Sequence, residues 1–142
     1  MASTPPGFAT RVRESFARQA FMRTLGATLE EVGEGSTAIR LERAEPLGQQ
    51  HGYLHGGALI TVLDTACGYA ALSVAPPGTE VLTAELKVNL LAPAVSPAII
   101  ARGRVIRAGR TLSVCQGDAY DADDPTRHLA TMLATMVVVP AP

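Results

Sequence analysis

The stretch Gln49-Gln50-His51-Gly52-Tyr53-Leu54-His55-Gly56-Gly57 runs directly into Ala58–Ala75, a segment apolar on nearly all sides that carries one carboxylate, Asp64. From Gly56 to Ala75 the residues are good helix material, and Pro76-Pro77-Gly78 ends the run. A helix apolar all round is a buried helix. The rest of the chain must therefore supply the surface that buries it.

Working outward, that surface reads as β-sheet. In 83–91, Ala84, Leu86, Val88 and Leu90 share one face of a strand, and Glu85, Lys87 and Asn89 share the other. Pro93 and Pro97 bracket a turn. In 98–107, Ile99, Ala101, Gly103 and Val105 face one way, Arg102 and Arg104 the other. Ala108-Gly109-Arg110 turns into a strand over 111–120, Asp121–Thr126 is a polar turn, and 129–139 is a last strand stopped by Pro140. Upstream, two strands in 27–43 are joined through Gly33-Glu34-Gly35-Ser36, and 44–54 is a loop. Residues 8–25 predict an amphipathic helix through Phe8, Val12, Phe16 and Met22, stopped by Gly26, and 1–7 a loose end. The order predicts an α+β architecture: a largely antiparallel sheet of about six strands around one long buried helix, plus an N-terminal helix.

Composition narrows the function. A chain of 142 residues with 47% apolar and 18% charged residues suits a single domain over 1–142. A net charge of −1 argues against a globally basic nucleic-acid binder, and 4% aromatics without Trp against a base-stacking platform. Cys67 and Cys115 lie in apolar segments without a CxxC partner, so no disulfide framework is expected. Met1–Gly7 shows no signal-peptide pattern, and the apolar run is interrupted by Asp64 and hydroxyl residues. The expectation is a soluble cytoplasmic protein.

Two features carry chemistry. Asp64 sits midway along the most apolar helix, with no Lys or Arg within two turns. Either a backbone or hydroxyl group satisfies it, or it is held for general-base or nucleophilic work. His55-Gly56-Gly57 stands at the helix N-terminus, where free N–H groups can stabilise an oxyanion and glycines admit a substrate; alternatively the glycines only shape the turn. Gly56 and Asp64 are eight residues apart, so about 12 Å along a helix axis. One small carbonyl cannot touch both within one chain. If both act on it, the site is shared across a symmetric dimer.

Gln49…Gly52-x-Leu54-His55-Gly56-Gly57-x6-Asp64, with Thr83-x-Glu85-Leu86-x-Val88-Asn89-Leu90-Leu91-x-Pro93-Ala94, resembles the hotdog-fold acyl-CoA thioesterases. The type it most resembles is the PaaI-like (phenylacetate-pathway) branch, over roughly residues 25–139. The resemblance implies a homodimer or homotetramer with sites at the dimer interface. It further implies hydrolysis of an aromatic, aryl-acetyl or medium-chain acyl-CoA to free acid and CoA, without a cofactor. Gly56 would supply the oxyanion N–H, and Asp64 of the opposite subunit the base or nucleophile. Thr83 would hold the attacking water and Gln49 orient the carbonyl. Many PaaI-like members carry Asn where this chain has Gln49. Gln occurs there in hotdog thioesterases acting on hydroxybenzoyl- or dihydroxynaphthoyl-CoA, which usually pair it with Glu rather than Asp.

His55 and Gly57 are further candidates for substrate binding. Arg102, Arg104, Arg107 and Arg110 form one basic band, of which Arg107 and Arg110, near the turn, are the candidates for CoA phosphates. His51 and His55 are not expected to hold a metal, since Gly52 interrupts helical spacing and the only other histidine is His128. Tyr53, Leu59, Leu63 and Tyr69 line either an acyl pocket or the core. A non-catalytic acyl-CoA or acyl-carrier binding protein is the alternative function.

Overall fold

In the computed structural model, which describes residues 4–142, helix α3 (Gly56–Val74) lies across one six-stranded sheet. Ahead of it come α1 (Phe8–Arg18), α2 (Ala20–Leu25), β1 (Thr28–Gly33), β2 (Ser36–Glu42) and a 3-10 turn at Glu45–Leu47. After it come β3 (Thr79–Leu90), β4 (Ala98–Ala108), β5 (Leu112–Asp121) and β6 (His128–Pro140). The spatial order is β1-β2-β4-β5-β6-β3, every pairing antiparallel. Short connections dictate that polarity for β1-β2, β4-β5 and β5-β6; β2 meets β4 only after the chain has passed through α3 and β3, and β3, which follows the helix, takes the far edge beside β6. This is the expected α+β hotdog arrangement, with the expected strand number.

Two glycines let α3 settle onto the sheet. A Cβ at Gly103 on β4 would lie 2.4 Å from the Ala66 carbonyl, and one at Gly117 on β5 would lie 2.9 Å from Cys67 Sγ. Only glycine permits that approach of helix to strand. Thr37 Oγ1 then donates to Ala66 O at 2.7 Å, so the contact is fastened by a buried hydrogen bond. Val62, Leu63, Ala66 and Cys67 are fully buried against Ile39, Ala101, Cys115 and Met136.

The structure departs from the sequence expectations in four places. The N-terminal helix is broken at Gln19, whose ψ of 106° is extended. Its amide Nε2 donates instead to Tyr69 Oη at 2.8 Å, and Ser15 Oγ lies 3.1 Å from the same oxygen. Second, α3 is not buried all round. Gly57, Ile60, Thr61, Asp64, Thr65 and Gly68 form a half-buried to exposed stripe at helical spacing. By length and composition alone α3 could cross a membrane, but 61% of its most apolar window is buried within the protein. Third, β3 begins at Thr79 and carries a bulge between Thr83 and Glu85. Strict alternation would group Thr83 with Glu85 and Lys87. The bulge turns it to the helix side, opposite buried Met136, while Leu86 and Val88 pack on the core. Fourth, Pro140 does not lie beyond the last strand but ends it, opposite Thr79. Of the expected loose end, Met1–Ser3 lie outside the described residues, and Gly7 (φ 76°) caps α1.

Candidate active site

The loop before α3 is ordered by its own backbone. Gln49 N–H donates to Tyr53 O (2.9 Å), Leu54 N–H to Ala94 O (3.0 Å) and His55 N–H to Leu47 O (2.8 Å). The Pro93-Ala94 turn therefore braces the His-Gly-Gly loop. Gln49 Oε1 accepts from the backbone N–H of His51 and of Tyr53, which leaves its amide Nε2 as the free donor. His55 is the N-cap of α3, its Nδ1 accepting from Gly57 N–H at 2.8 Å, and His55 O accepts from Ala58 N–H at 3.0 Å. Gly56 N–H is then the first-turn amide without a partner among the described residues. It opens with Gln49, Tyr53, Leu59 and Leu90 on a pocket of about 320 Å³. Gly57 and His55, both candidates for substrate contact, spend Gly57 N–H and His55 Nδ1 on each other.

Asp64 belongs to a second cavity, of about 380 Å³, on the exposed stripe of α3. Thr83 Oγ1, turned inward by the β3 bulge, donates to Asp64 Oδ1 at 2.6 Å. Asp64 is half-buried rather than sealed in the core, and Oδ2 is unengaged among the described residues. The other walls come from α1, α2 and the start of β3, with Ser15, Gln19, Phe21 and Glu80 among them. Tyr69 closes one side; burial pushes its phenol above the ordinary range, with Ser15 and Gln19 pulling the other way. Its hydroxyl is therefore a neutral hydrogen-bonding group.

Among the sequence candidates, Asp64 and Thr83 come together, as do Gln49 and Gly56, while the two pairs occupy separate pockets. Arg107 and Arg110 lie near neither within the chain. Arg107 pairs with Val114 on the sheet face turned away from α3, toward the Leu112–Val137–Leu82 end, whereas Gly56 meets Leu90 at the opposite end. Neither arginine has an ion-pair partner among the described residues, while Arg102 is bound by Glu31 at 2.8 Å. Leu63 is core, whereas Leu59 and Tyr53 line the Gly56 pocket and Tyr69 the Asp64 cavity. Cys67 and Cys115 are buried free thiols, and burial pushes Cys115 up to about 11 and Cys67 higher still. No cluster suited to a metal occurs among the described residues.

Sequence reasoning missed Ser15, Gln19 and Gly68 among the residues that line the Asp64 cavity. Ser15 and Gln19 come from an N-terminal helix read only as an amphipathic cover, and no local signal marks the Gln19 break. Gly68 was readable: a glycine inside a helix costs about 1 kcal/mol relative to alanine and asks for a reason.

Comparison with known proteins identifies the family. The profile of the Thioesterase superfamily matches residues 51–127, which takes in the His-Gly-Gly loop, Asp64 and Thr83. A crystal structure of a thioesterase family protein from Silicibacter pomeroyi is 44% identical, superposes with a TM-score of 0.91, and covers 95% of this chain and 100% of its own. A Saccharolobus solfataricus protein named provisionally as an esterase is 30% identical over 129 residues, 91% of this chain and 84% of its own. A Listeria monocytogenes 1,4-dihydroxy-2-naphthoyl-CoA hydrolase is 29% identical over 91 residues, 64% of this chain and 74% of its own. The chain belongs to the Thioesterase superfamily, carries its hotdog fold, and is a thioester hydrolase.

Proposed function

We propose that the protein hydrolyses an aromatic, aryl-acetyl or medium-chain acyl-CoA to free acid and CoA, in the manner of the PaaI-like branch, at sites shared between two subunits. The observation that carries this reading is the partition along α3. A carboxylate with a hydroxyl partner faces one open cavity, and an unpartnered helix N-terminal amide faces another, about 12 Å away along the axis. A second copy would bring its Gly56 N–H and Gln49 amide over the first copy's Asp64. The unpaired edge offered by β3, twelve residues long and bearing exposed Leu82 and Leu90, supports such pairing. Two such dimers would make a tetramer.

In this reading the thioester oxygen accepts from Gly56 N–H, strengthened by the α3 dipole, and from Gln49 Nε2. Asp64 Oδ2 takes a proton from water as the water oxygen bonds to the carbonyl carbon. Thr83 fixes the carboxylate through Oδ1. Collapse of the tetrahedral intermediate breaks the C–S bond, and the CoA sulfur leaves with the proton. Direct attack by Asp64, giving an anhydride that water then opens, uses the same geometry. Arg107 and Arg110 are offered to the CoA phosphates.

The test is CoA release, followed by thiol detection, over a panel of aryl and straight-chain acyl-CoAs with wild type and Asp64→Asn. Turnover falling by about 10³-fold or more in a folded Asp64→Asn protein is the expected result. Equal activity in both would make Asp64 structural. An inert wild type that still binds acyl-CoA would make this a binding protein.

A further inference from the structure

Gly68 lies on α3 one turn beyond Asp64, on the same face, and lines the same cavity. A Cβ built there meets no atom within 4 Å. Gly103 and Gly117 are a control within the same molecule: a Cβ at either would overlap α3 or its side chains. Packing explains those two glycines and leaves Gly68 unexplained. Alanine is the best helix former and glycine among the poorest, so an interior helical glycine with room for a methyl group serves something outside the protomer's own packing.

The surroundings say what that occupant is. The floor continues from Asp64 past Gly68 to Tyr69, whose hydroxyl is held between Ser15 and Gln19. The break of the N-terminal helix at Gln19 makes that clasp possible. A bare backbone thus connects the carboxylate at one end of the cavity with a fixed hydrogen-bonding cluster at the other.

We propose that Gly68 is the specificity-determining residue for the acyl group, which extends from Asp64 across the bare helix backbone at Gly68 toward the Ser15–Tyr69–Gln19 cluster. The inference rests on Asp64 marking the thioester position. It makes residue 68 a size limit: each carbon added to the side chain there removes space from the acyl group and from nothing else.

The experiment compares wild type, Gly68→Ala and Gly68→Val by two readouts. One is kcat/KM over straight-chain acyl-CoAs from acetyl to lauroyl. The other is calorimetric binding of non-hydrolysable S-ethyl-, S-hexyl- and S-decyl-CoA thioethers. Gly68→Val is expected to lower kcat/KM for hexanoyl and longer chains by about tenfold or more, while acetyl changes by less than about threefold. Binding should fall for the long thioethers and hold for the short one. Gly68→Ala should give a smaller shift of the same kind with a raised Tm. A loss equal at every chain length overturns the proposal, as does conversion to a lower solution mass, which would place Gly68 in a subunit contact. The two readings fail separately. Wild type without turnover but with length-selective binding lost in Gly68→Val removes the hydrolytic reading and keeps the size limit. Asp64-dependent turnover with length-independent binding does the reverse.

Discussion

The two pockets on α3 are built by different means. At its N-terminus the chemistry is backbone: an amide freed because a histidine side chain occupies the next one, in a loop braced by main-chain bonds from Leu47, Tyr53 and Ala94. Just over two turns further on it is side chain: a carboxylate on a helix and a hydroxyl on a strand, brought to 2.6 Å by a bulge. The first kind of site is built on one loop and the helix start it leads into, and a side chain at Gly56 would press on Leu90. The second is assembled from segments nineteen residues apart and depends on strand register. Neither pocket alone holds both the carboxylate and the free helix N-terminal amide, so the difference between them is the argument for the proposed second subunit.

The sharpest way to break that argument is complementation. Asp64→Asn and Gly56→Ala should each be nearly inactive alone. After subunit exchange at equal amounts, half the dimers are mixed and each holds one intact site, so about a quarter of wild-type activity should return. No recovery in a verified mixture would confine the chemistry to one chain. For Gly56→Ala itself, the added methyl would stand 2.8 Å from Leu90 Cδ1, the mobile end of a side chain. We expect about 10²-fold lower kcat, with partial rescue by Leu90→Ala. An unchanged rate would show that the amide does not meet the substrate.

Smaller effects separate the pockets further. Thr83→Val removes the donor to Asp64 Oδ1 while keeping the shape, and should lower kcat about tenfold with little change in KM. A change confined to KM would make Thr83 a substrate contact instead. His55→Ala frees Gly57 N–H and should cost about 1 kcal/mol in chemical denaturation. Stability unchanged within error would remove the cap from the account. Last, the sheet-facing side of α3 is sealed where the cavity side is open. With burial raising the thiol of Cys115 to about 11 and that of Cys67 further, neither should react with a disulfide reagent at pH 8 in the native protein. Rapid native labelling would show that α3 lifts from the sheet.

Much of this was legible in the sequence because the deciding signals are local. The 3.6-residue and two-residue periods mark elements, and Gly33-Glu34-Gly35-Ser36 closes its hairpin as written. Spacing along a helix is metric, so eight residues became a distance before any coordinates existed. Asp64 was read as buried because the residues around it are apolar. Packing made it half-buried, since the sheet covers only one side of α3 and the other side is a stripe of Gly, Thr and Asp. Arg107 and Arg110 looked suited to phosphate as the part of a basic band nearest a turn. Strand register carried Arg107 to the outer face, which composition cannot see.

The sequence by itself determined the elements, their order, the antiparallel sheet and the identity of the His-Gly-Gly and Asp64 positions, because turn chemistry and hydrophobic period act between near neighbours. Only the tertiary structure decided that Thr83 faces Asp64 and that Gln19 reaches Tyr69. It also decided that Gly103 and Gly117 make room for α3 whereas Gly68 makes room for nothing in its own chain. A bulge and a helix break each re-aim a side chain by one residue's worth of backbone, and a glycine's empty space has meaning only against what packs beside it.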